Sequence, residues 1–482
     1  MRWTRRPAPD VAEPHELTAL EQAAEVRAGA LSPVELVDHY LGRIEHLDET
    51  VGAFVTVTDE AARAAARGAE AAVTAGAELP PLHGVPTAIK DLTLTAGTRT
   101  TLGSASYADF VPDVDDHVVT LLRAAGTISL GKTNTPEFGL PCYTEPEVAP
   151  PARTPWDLER SAGGSSGGAA AAVATGLVPW TQGSDGGGSI RIPASVCGLV
   201  GIKVSRGRVS NGPLRGDVNG LGWAGPLARN VADAAALLDT MAVPMPGDPH
   251  WAAPPPRPFL SYADPDRALG RLRIGRFRDP GVVEDRVHPD CLAAYESASR
   301  LLAGLGHEID DIDPPFGPEA MPHFLSVWSV SAALTPVAPG DEPRLRPLTR
   351  HLREQGRSIS GPAFCAALAE LQAGSRRAIG RTAAYDAVLT PTLAQPPAPV
   401  GSLRDDADPA RDLQRQLAFT PYTAVYNVTG QPAVNVPLYW TSAGLPIGVM
   451  LVGRPADEAT LLGLAAALEA AAPWRDRRPP VW

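Results

Sequence analysis

Cysteine is scarce in this chain. Its 482 residues hold four (Cys142, Cys197, Cys291 and Cys365), widely spaced and without a CxxC pair. That argues against a disulfide framework or a cysteine zinc site and fits a reducing cytoplasm. Positive charge is also short. The net charge is −12 and no long basic run occurs, so the clustered cationic footprint that nucleic acid requires is missing. No long apolar run is present. The most apolar stretch, residues 169–180, is too short and too broken by Gly and Pro to span a bilayer. The basic start MRWTRRPAPD leads into Pro and Asp instead of an apolar segment, so it does not read as a signal peptide. No HExxH or HxH cluster points to a metal.

Turn formers and apolar residues are abundant. There are 46 Gly and 50 Pro, scattered without a repeat, and 44% of residues are hydrophobic against 20% charged. This is the composition of a large globular core with many turns. Two amphipathic helices are expected at about 15–29 and 33–47, the second opened by Ser32 with Pro33 at its first position and Glu35 three residues after the cap. An Ala-rich helix at 58–75 follows. A short strand ends in VPTAIKD, and a helix at 115–125 leads to a strand at 127–132. Past the glycines of 162–168 come an apolar helix, a strand at 178–184 and a helix start at IRIPASVCG. Such alternation predicts an α/β fold: a mixed, largely parallel central sheet covered by helices on both faces. Residues 242–258 are Pro-rich and read as a linker. The stretch 245–385 is more helical and peripheral, with a strand at 271–277, and α/β character returns from 385 to 472.

The segment SAGGSSGGAAAAVATGLVPWTQGSDGGGSIRIPASVCGLVGIK (161–203) carries the most chemical information. It has two glycine-rich turns, each with serine, separated by one helix and one strand. Glycine lets the backbone turn sharply and present bare N–H groups. A hydroxyl beside such a row suits acyl transfer, because the N–H groups hold the negative oxygen that forms on attack. In DGGGSIR the donors are Gly186, Gly187, Gly188 and Ser189. The plain alternatives are a flexible Gly/Ser loop or a phosphate-binding nest. The flanking apolar strand and Pro193 weigh against a free linker.

Two familiar patterns fail in context. Residues 126–133 fit GxxxxGK[ST], but a phosphate loop follows a strand and opens a helix, whereas Gly126 follows a helix and TISL within the motif is strand-like. Residues 163–167 fit GxSxG, but the preceding PARTPWDLERSA is polar, not the apolar strand of a nucleophile elbow. Lys90 stands alone in an apolar setting at a strand end. Such a lysine usually packs its stem and exposes its charge. To act as a base it must be neutral, which requires desolvation. Of the ten histidines, His83 and His117 lie nearest these segments, and both read as structural or surface residues.

With these motifs the chain resembles the amidase signature family. The likeness runs through SPVELVDHYLGRIEHLD, LHGVPTAIKD, LGKTNTPEFG, the 161–203 segment, GPLARNVADAAALLD, DAVLTPTL and NVTGQPAVNVPL with GLPIGVMLVG, leaving about 245–380 unmatched. The resemblance implies one amidase domain over 1–482 and a Ser–cisSer–Lys triad. Matched residue by residue, the base is Lys90. The relay, after a cis peptide, is Ser165, and the nucleophile is Ser189. Ser166 and Asp185 fall at positions that support the hydrogen-bond network. It also implies no cofactor and no metal. The wording GGGSIRIPAS…KVSRGRV is most similar to stand-alone amidases of the nylon-oligomer type and their aryl-amide and carbamate relatives. That implies a small neutral or hydrophobic amide substrate, no nucleic-acid or membrane partner, and a monomer or homodimer in the cytoplasm. Met321, Phe324 and Trp328 lie in the variable region. They are placed to line a pocket or to form plain core on one helix face, and core is the expected reading. Two other functions compete. One is the glutaminase subunit of an aminoacyl-tRNA amidotransferase, whose motifs differ from SDGGGSIR and NGLGWAGPL. The other is a non-catalytic scaffold, disfavoured because Lys90, Ser165 and Ser189 are all present.

Overall fold

The computed structural model describes residues 13–216, 218–282 and 287–482. Eleven strands form one sheet: β1 (Phe54–Val57), β2 (Pro86–Lys90), β3 (Ile128–Thr133), β4 (Trp180–Asp185), β5 (Val200–Lys203), β6 (Trp223–Ala228), β7 (Arg273–Arg276), β8 (Glu308–Asp311), β9 (Ala387–Pro391), β10 (Ala433–Trp440) and β11 (Pro446–Gly453). Their order is β1-β3-β2-β4-β6-β5-β10-β11-β9-β7-β8.

The sheet is mixed, as expected, but less parallel than the sequence suggests. Parallel pairing joins β2 to β3 and β4, and β7 to β8 and β9. The other six neighbouring pairs are antiparallel. Two features account for this. β10 and β11 are joined by a short turn, which only an antiparallel pair permits. The helix Arg191–Cys197 carries the chain from β4 to β5, yet β6 slips between those strands, antiparallel to both. β6 escapes a sequence reading because Gly225 and Pro226 sit in its middle, and proline normally argues against an interior strand.

Side chains alternate across the sheet with a period of two. Ile447, Val449 and Leu451 of β11 enter a core shared with the helices Val231–Met241, Pro289–Gly304 and Glu458–Ala471. Met450 and Val452 point to the opposite side. On that side, farther along the sheet, Ala88 of β2 packs with the helices Pro33–Val51, Gly167–Ala174 and Arg191–Cys197. Helices therefore cover both faces. The helix Pro33–Val51 begins as expected, with Ser32 Oγ accepting from the Val34 and Glu35 N–H groups, and it runs on to a left-handed Gly52. The fully buried helix Gly167–Ala174 approaches its neighbours so closely that a Cβ on Gly168 would lie 2.4 Å from the Ala53 carbonyl oxygen. Within 245–385, β7 and β8 form one end of the sheet, and the helices Ala320–Leu334, Pro347–Ser358 and Gly361–Thr382 pack together. Among the described residues no helix is long and apolar enough to cross a membrane.

Candidate active site

β2 and β4 run side by side and parallel, with Ile89 opposite Gln182. Their carboxyl ends therefore bring Lys90 next to Ser184 and Asp185. Active sites of open α/β sheets favour such strand ends. The loop before the helix Gly167–Ala174 adds Ser165 and Ser166, and the Gly164–Ser165 peptide is cis.

Lys90 is fully buried. Its Nζ lies 2.8 Å from Ser165 Oγ, 2.8 Å from Ser166 Oγ, 3.1 Å from Ser184 Oγ and 3.3 Å from the Ser184 carbonyl oxygen. No carboxylate is among these partners. Burial holds its pKa well below the ordinary lysine value; Asp185 opposes the shift and Arg215 adds to it. The Ser166 hydroxyl donates to the Ser184 carbonyl at 3.2 Å, so its oxygen is left to accept from the amine. A neutral amine has two N–H bonds and one lone pair. With Ser166 and Ser184 accepting both N–H bonds, the lone pair is left to Ser165.

Asp185 organises the turn that follows β4. Its carboxylate accepts from the N–H groups of Gly188 (2.7 Å) and Ile190 (3.2 Å) and from Arg191 Nε (2.9 Å) and Nη2 (3.0 Å). Burial alone would raise this carboxyl, but the Arg191 guanidinium outweighs it and holds the group well below the usual carboxylate range. Arg191 is itself fully buried and donates to Asn427 Oδ1 (2.7 Å) and the Thr423 carbonyl (2.9 Å). Asn427 Nδ2 returns to the Asp185 carbonyl and to Oδ1, both at 2.9 Å. Thr423 Oγ1 donates to the Gly187 carbonyl at 2.6 Å. Gly188 has φ +134°, and a Cβ there would lie 2.3 Å from Thr423 Oγ1, so only glycine fits.

This network alters the expected oxyanion donors. The Gly188 N–H is engaged by Asp185 and drops out of the set. Among the described residues, the N–H groups of Gly186, Gly187 and Ser189 make no hydrogen bond within the protein. Ser189 is nearly buried and lines a cavity of about 280 Å³ that Ser165, Ser184 and Gly186 also line. Lys90 and Ser165 are thus in bonding contact. Ser165 and Ser189 share a cavity wall without a hydrogen bond between their hydroxyls.

Ser189 also borders a second, smaller cavity of about 70 Å³, mostly apolar and lined by Gly187, Ile192, Met321, Phe324 and Trp328. Phe324 and Trp328 stack with ring centroids 5.6 Å apart. The expectation that these side chains are plain core holds only in part. Phe324 is buried in a cluster with Val327 and Leu371, yet its ring edge faces Gly187, while half-buried Trp328 faces Gly186 and lines both cavities. The glycines supply no side chain there, so the rings become the wall.

The sequence reading missed Ser184, Arg191, Thr423 and Asn427 as members of the site. Arg191 and Asn427 lie inside the recognisable segments GGGSIR and NVTGQ, but nothing local shows that they meet 236 residues apart. The two matches to other motifs are set aside. Residues 128–133 form β3 with Lys132 buried, which is not a phosphate loop. His83 bonds the Ala69 carbonyl, and His117 bonds Ser210.

Comparison with known proteins identifies the family. The Amidase family profile matches residues 35–462. AmiB2 of Mycobacterium tuberculosis, whose own amidase activity is provisionally assigned, is 41% identical over 97% of this chain and 100% of its own. The 6-aminohexanoate-cyclic-dimer hydrolase of Paenarthrobacter ureafaciens is 36% identical over 96% of both chains. A solved structure of a 6-aminohexanoate cyclic dimer hydrolase superposes with TM-score 0.87 at 34% identity, covering 97% of this chain and 99% of the other. A bacterial aryl acylamidase of the amidase signature family superposes with TM-score 0.86 at 26% identity, over 95% and 97%. This chain belongs to the amidase family and is a hydrolase of carbon–nitrogen bonds in non-peptide amides.

Proposed function

We propose that the protein hydrolyses a small amide through an acyl-enzyme on Ser189. Neutral Lys90 takes the Ser165 proton as Ser165 takes the Ser189 proton, and Ser189 Oγ attacks the carbonyl carbon. The developing oxyanion meets the N–H groups of Gly186, Gly187 and Ser189. The relay runs backward to protonate the amine nitrogen as the C–N bond breaks. Water, activated by the same chain, then cleaves the ester and releases the acid. No cofactor is needed for these steps. Ser166 and Ser184 orient the lysine, and Asp185 with Arg191 fixes the turn that carries the nucleophile.

One observation carries this reading: a buried lysine with no carboxylate partner, 2.8 Å from the hydroxyl of Ser165. Burial alone does not mark a base: Lys203 is also fully buried, but it donates to the Val204 and Gln431 carbonyls, whereas Lys90 meets hydroxyls that can pass a proton. The named relatives support a small substrate with an apolar part, and Phe324 and Trp328 supply a surface to match it. We take the chain as one domain in which 245–385 shapes that pocket, and its four free cysteines suit the cytoplasm.

A fluorophosphonate label followed by peptide mapping tests the nucleophile. The tag is expected on Ser189. A tag on Ser165 would make that residue the nucleophile, and no tag would favour a scaffold. A screen of aryl amides, aliphatic amides, carbamates and nylon-type oligomers then defines the substrate. Glutamine turnover that required a partner protein would replace this reading with the amidotransferase one.

A further inference from the structure

The two cavities that meet at Ser189 differ in chemistry, and the proposed relay gives each a role. The leaving nitrogen receives its proton through Ser165. Ser165 lines the larger cavity and is not part of the smaller one. The amine half of the substrate therefore occupies the larger cavity. The acyl half points past the Gly187 side of the turn into the apolar slot beneath Phe324 and Trp328.

The larger cavity is polar, but most of its polar groups are committed. Asn211 Nδ2 donates to the Gly222 carbonyl at 2.7 Å, and Asn219 Nδ2 to Ser331 Oγ at 2.7 Å. Ser331 in turn donates to the Val327 carbonyl at 2.8 Å. Arg215 is different. Its side chain is 45% exposed and makes only a long ion pair among the described residues, Nε to Asp116 Oδ2 at 3.9 Å. Asp116 is held in turn by the Leu94 N–H, which donates to Oδ2 at 2.9 Å. The carboxylate engages the Nε side of the guanidinium, and among the described residues neither terminal nitrogen makes a hydrogen bond. A guanidinium in this state matches a carboxylate through two parallel hydrogen bonds.

We infer that Arg215 anchors a carboxylate on the amine half of the substrate, so that the preferred substrates are N-acyl amino acids with a short apolar acyl group. This rests on the relay mechanism above and replaces the neutral substrate expected from the sequence with an anionic one. In the reaction the amide C–N bond breaks and the apolar acyl group stays on Ser189 Oγ. The amino acid leaves with the relayed proton, and water frees the apolar acid. Asp116 is a positioning residue for Arg215.

Binding separates this inference from the chemistry. In Ser189→Ala protein, titration with N-phenylacetylglycine and with neutral N-propyl phenylacetamide is followed by tryptophan fluorescence, since Trp223 and Trp328 both line the cavity. The acid is expected to bind at least about tenfold tighter, the scale of one charge-assisted contact of about 1.5 kcal/mol. Adding Arg215→Gln should erase the difference, and Arg215→Lys should restore part of it. With Ser189 intact, the kcat/KM ratio of acid to neutral amide should fall by about the same factor in Arg215→Gln. Equal binding of the two ligands, no binding of the acid, or a preference that survives Arg215→Gln overturns the inference. Failure of the relay would instead appear as no turnover of either amide and no label on Ser189, with the binding difference intact.

Discussion

Two lysines enter the interior from neighbouring parallel strands. Lys90 ends β2, and Lys132 lies on β3 opposite Ile89. Both are fully buried, so desolvation acts on both alike. Their neighbours differ. Lys132 Nζ donates to the Thr93 carbonyl (2.5 Å), Thr100 Oγ1 (2.9 Å) and Thr95 Oγ1 (3.1 Å), with Asp91 Oδ1 3.8 Å away. Burial lowers its pKa only to about 8, because Asp91 and Asp116 push back. Lys90 meets hydroxyls and one carbonyl, and burial holds its pKa well below the ordinary lysine value. Burial makes a lysine costly, and the partner decides what it becomes. Beside a carboxylate the charged form is held; among hydroxyls and a carbonyl it is disfavoured, which is what the proposed base requires.

Substitution of each lysine should break the pair apart. Lys90→Ala should cost about 10³-fold or more in kcat, as the loss of a triad member does, while urea unfolding stays close to that of the parent. Ser189→Ala should cost at least as much. Lys132→Ala should show the opposite pattern, losing about 3 kcal/mol in urea unfolding because Asp91 is left buried without its cation. A Lys90→Ala protein that keeps high activity, or one that unfolds as readily as Lys132→Ala, would erase the distinction.

Asp185→Asn tests where scaffold ends and chemistry begins. It leaves the Arg191 charge buried without its carboxylate, so a loss of about 3 kcal/mol of stability is expected, together with a fall in kcat as the turn of Ser189 loosens. Trp328→Ala should be milder. It should lower kcat/KM for a small apolar acyl group by about tenfold while bulkier acyl groups gain in relative rate.

The smallest expected effect is on pH dependence. As pH falls, Lys90 takes up a proton and cannot accept one from Ser165, so kcat/KM is lost on the acid side and is steady above that limb. After burial, the Arg215 charge adds to the lowering of the Lys90 pKa. Its removal therefore raises the lysine pKa, and the acid limb of Arg215→Gln should move to higher pH. An acid limb that stays in place would show that Arg215 does not influence the base.

Much of the site was legible because its parts are short and chemically distinctive. Glycine-rich turns beside serines, and a lone lysine at the end of an apolar strand, are local patterns. Helix boundaries followed the same rule where a cap marked them, as at Ser32. Legibility ended where the deciding partner is distant. β6 stayed hidden because Pro226 argues locally against a strand, and only its neighbours β4 and β5 hold it there. Trp328 and Phe324 read as ordinary apolar helix residues until the helix is seen packed on Gly186 and Gly187.

The sequence by itself determined the residue types and the glycines that permit the turns, because backbone freedom and functional groups are properties of single residues. Tertiary structure decided which buried lysine meets serine hydroxyls, that the Gly188 N–H is taken by Asp185, and that Arg215 lines the cavity. These depend on through-space partners and on exclusion of water, and neither is written in the spacing along the chain.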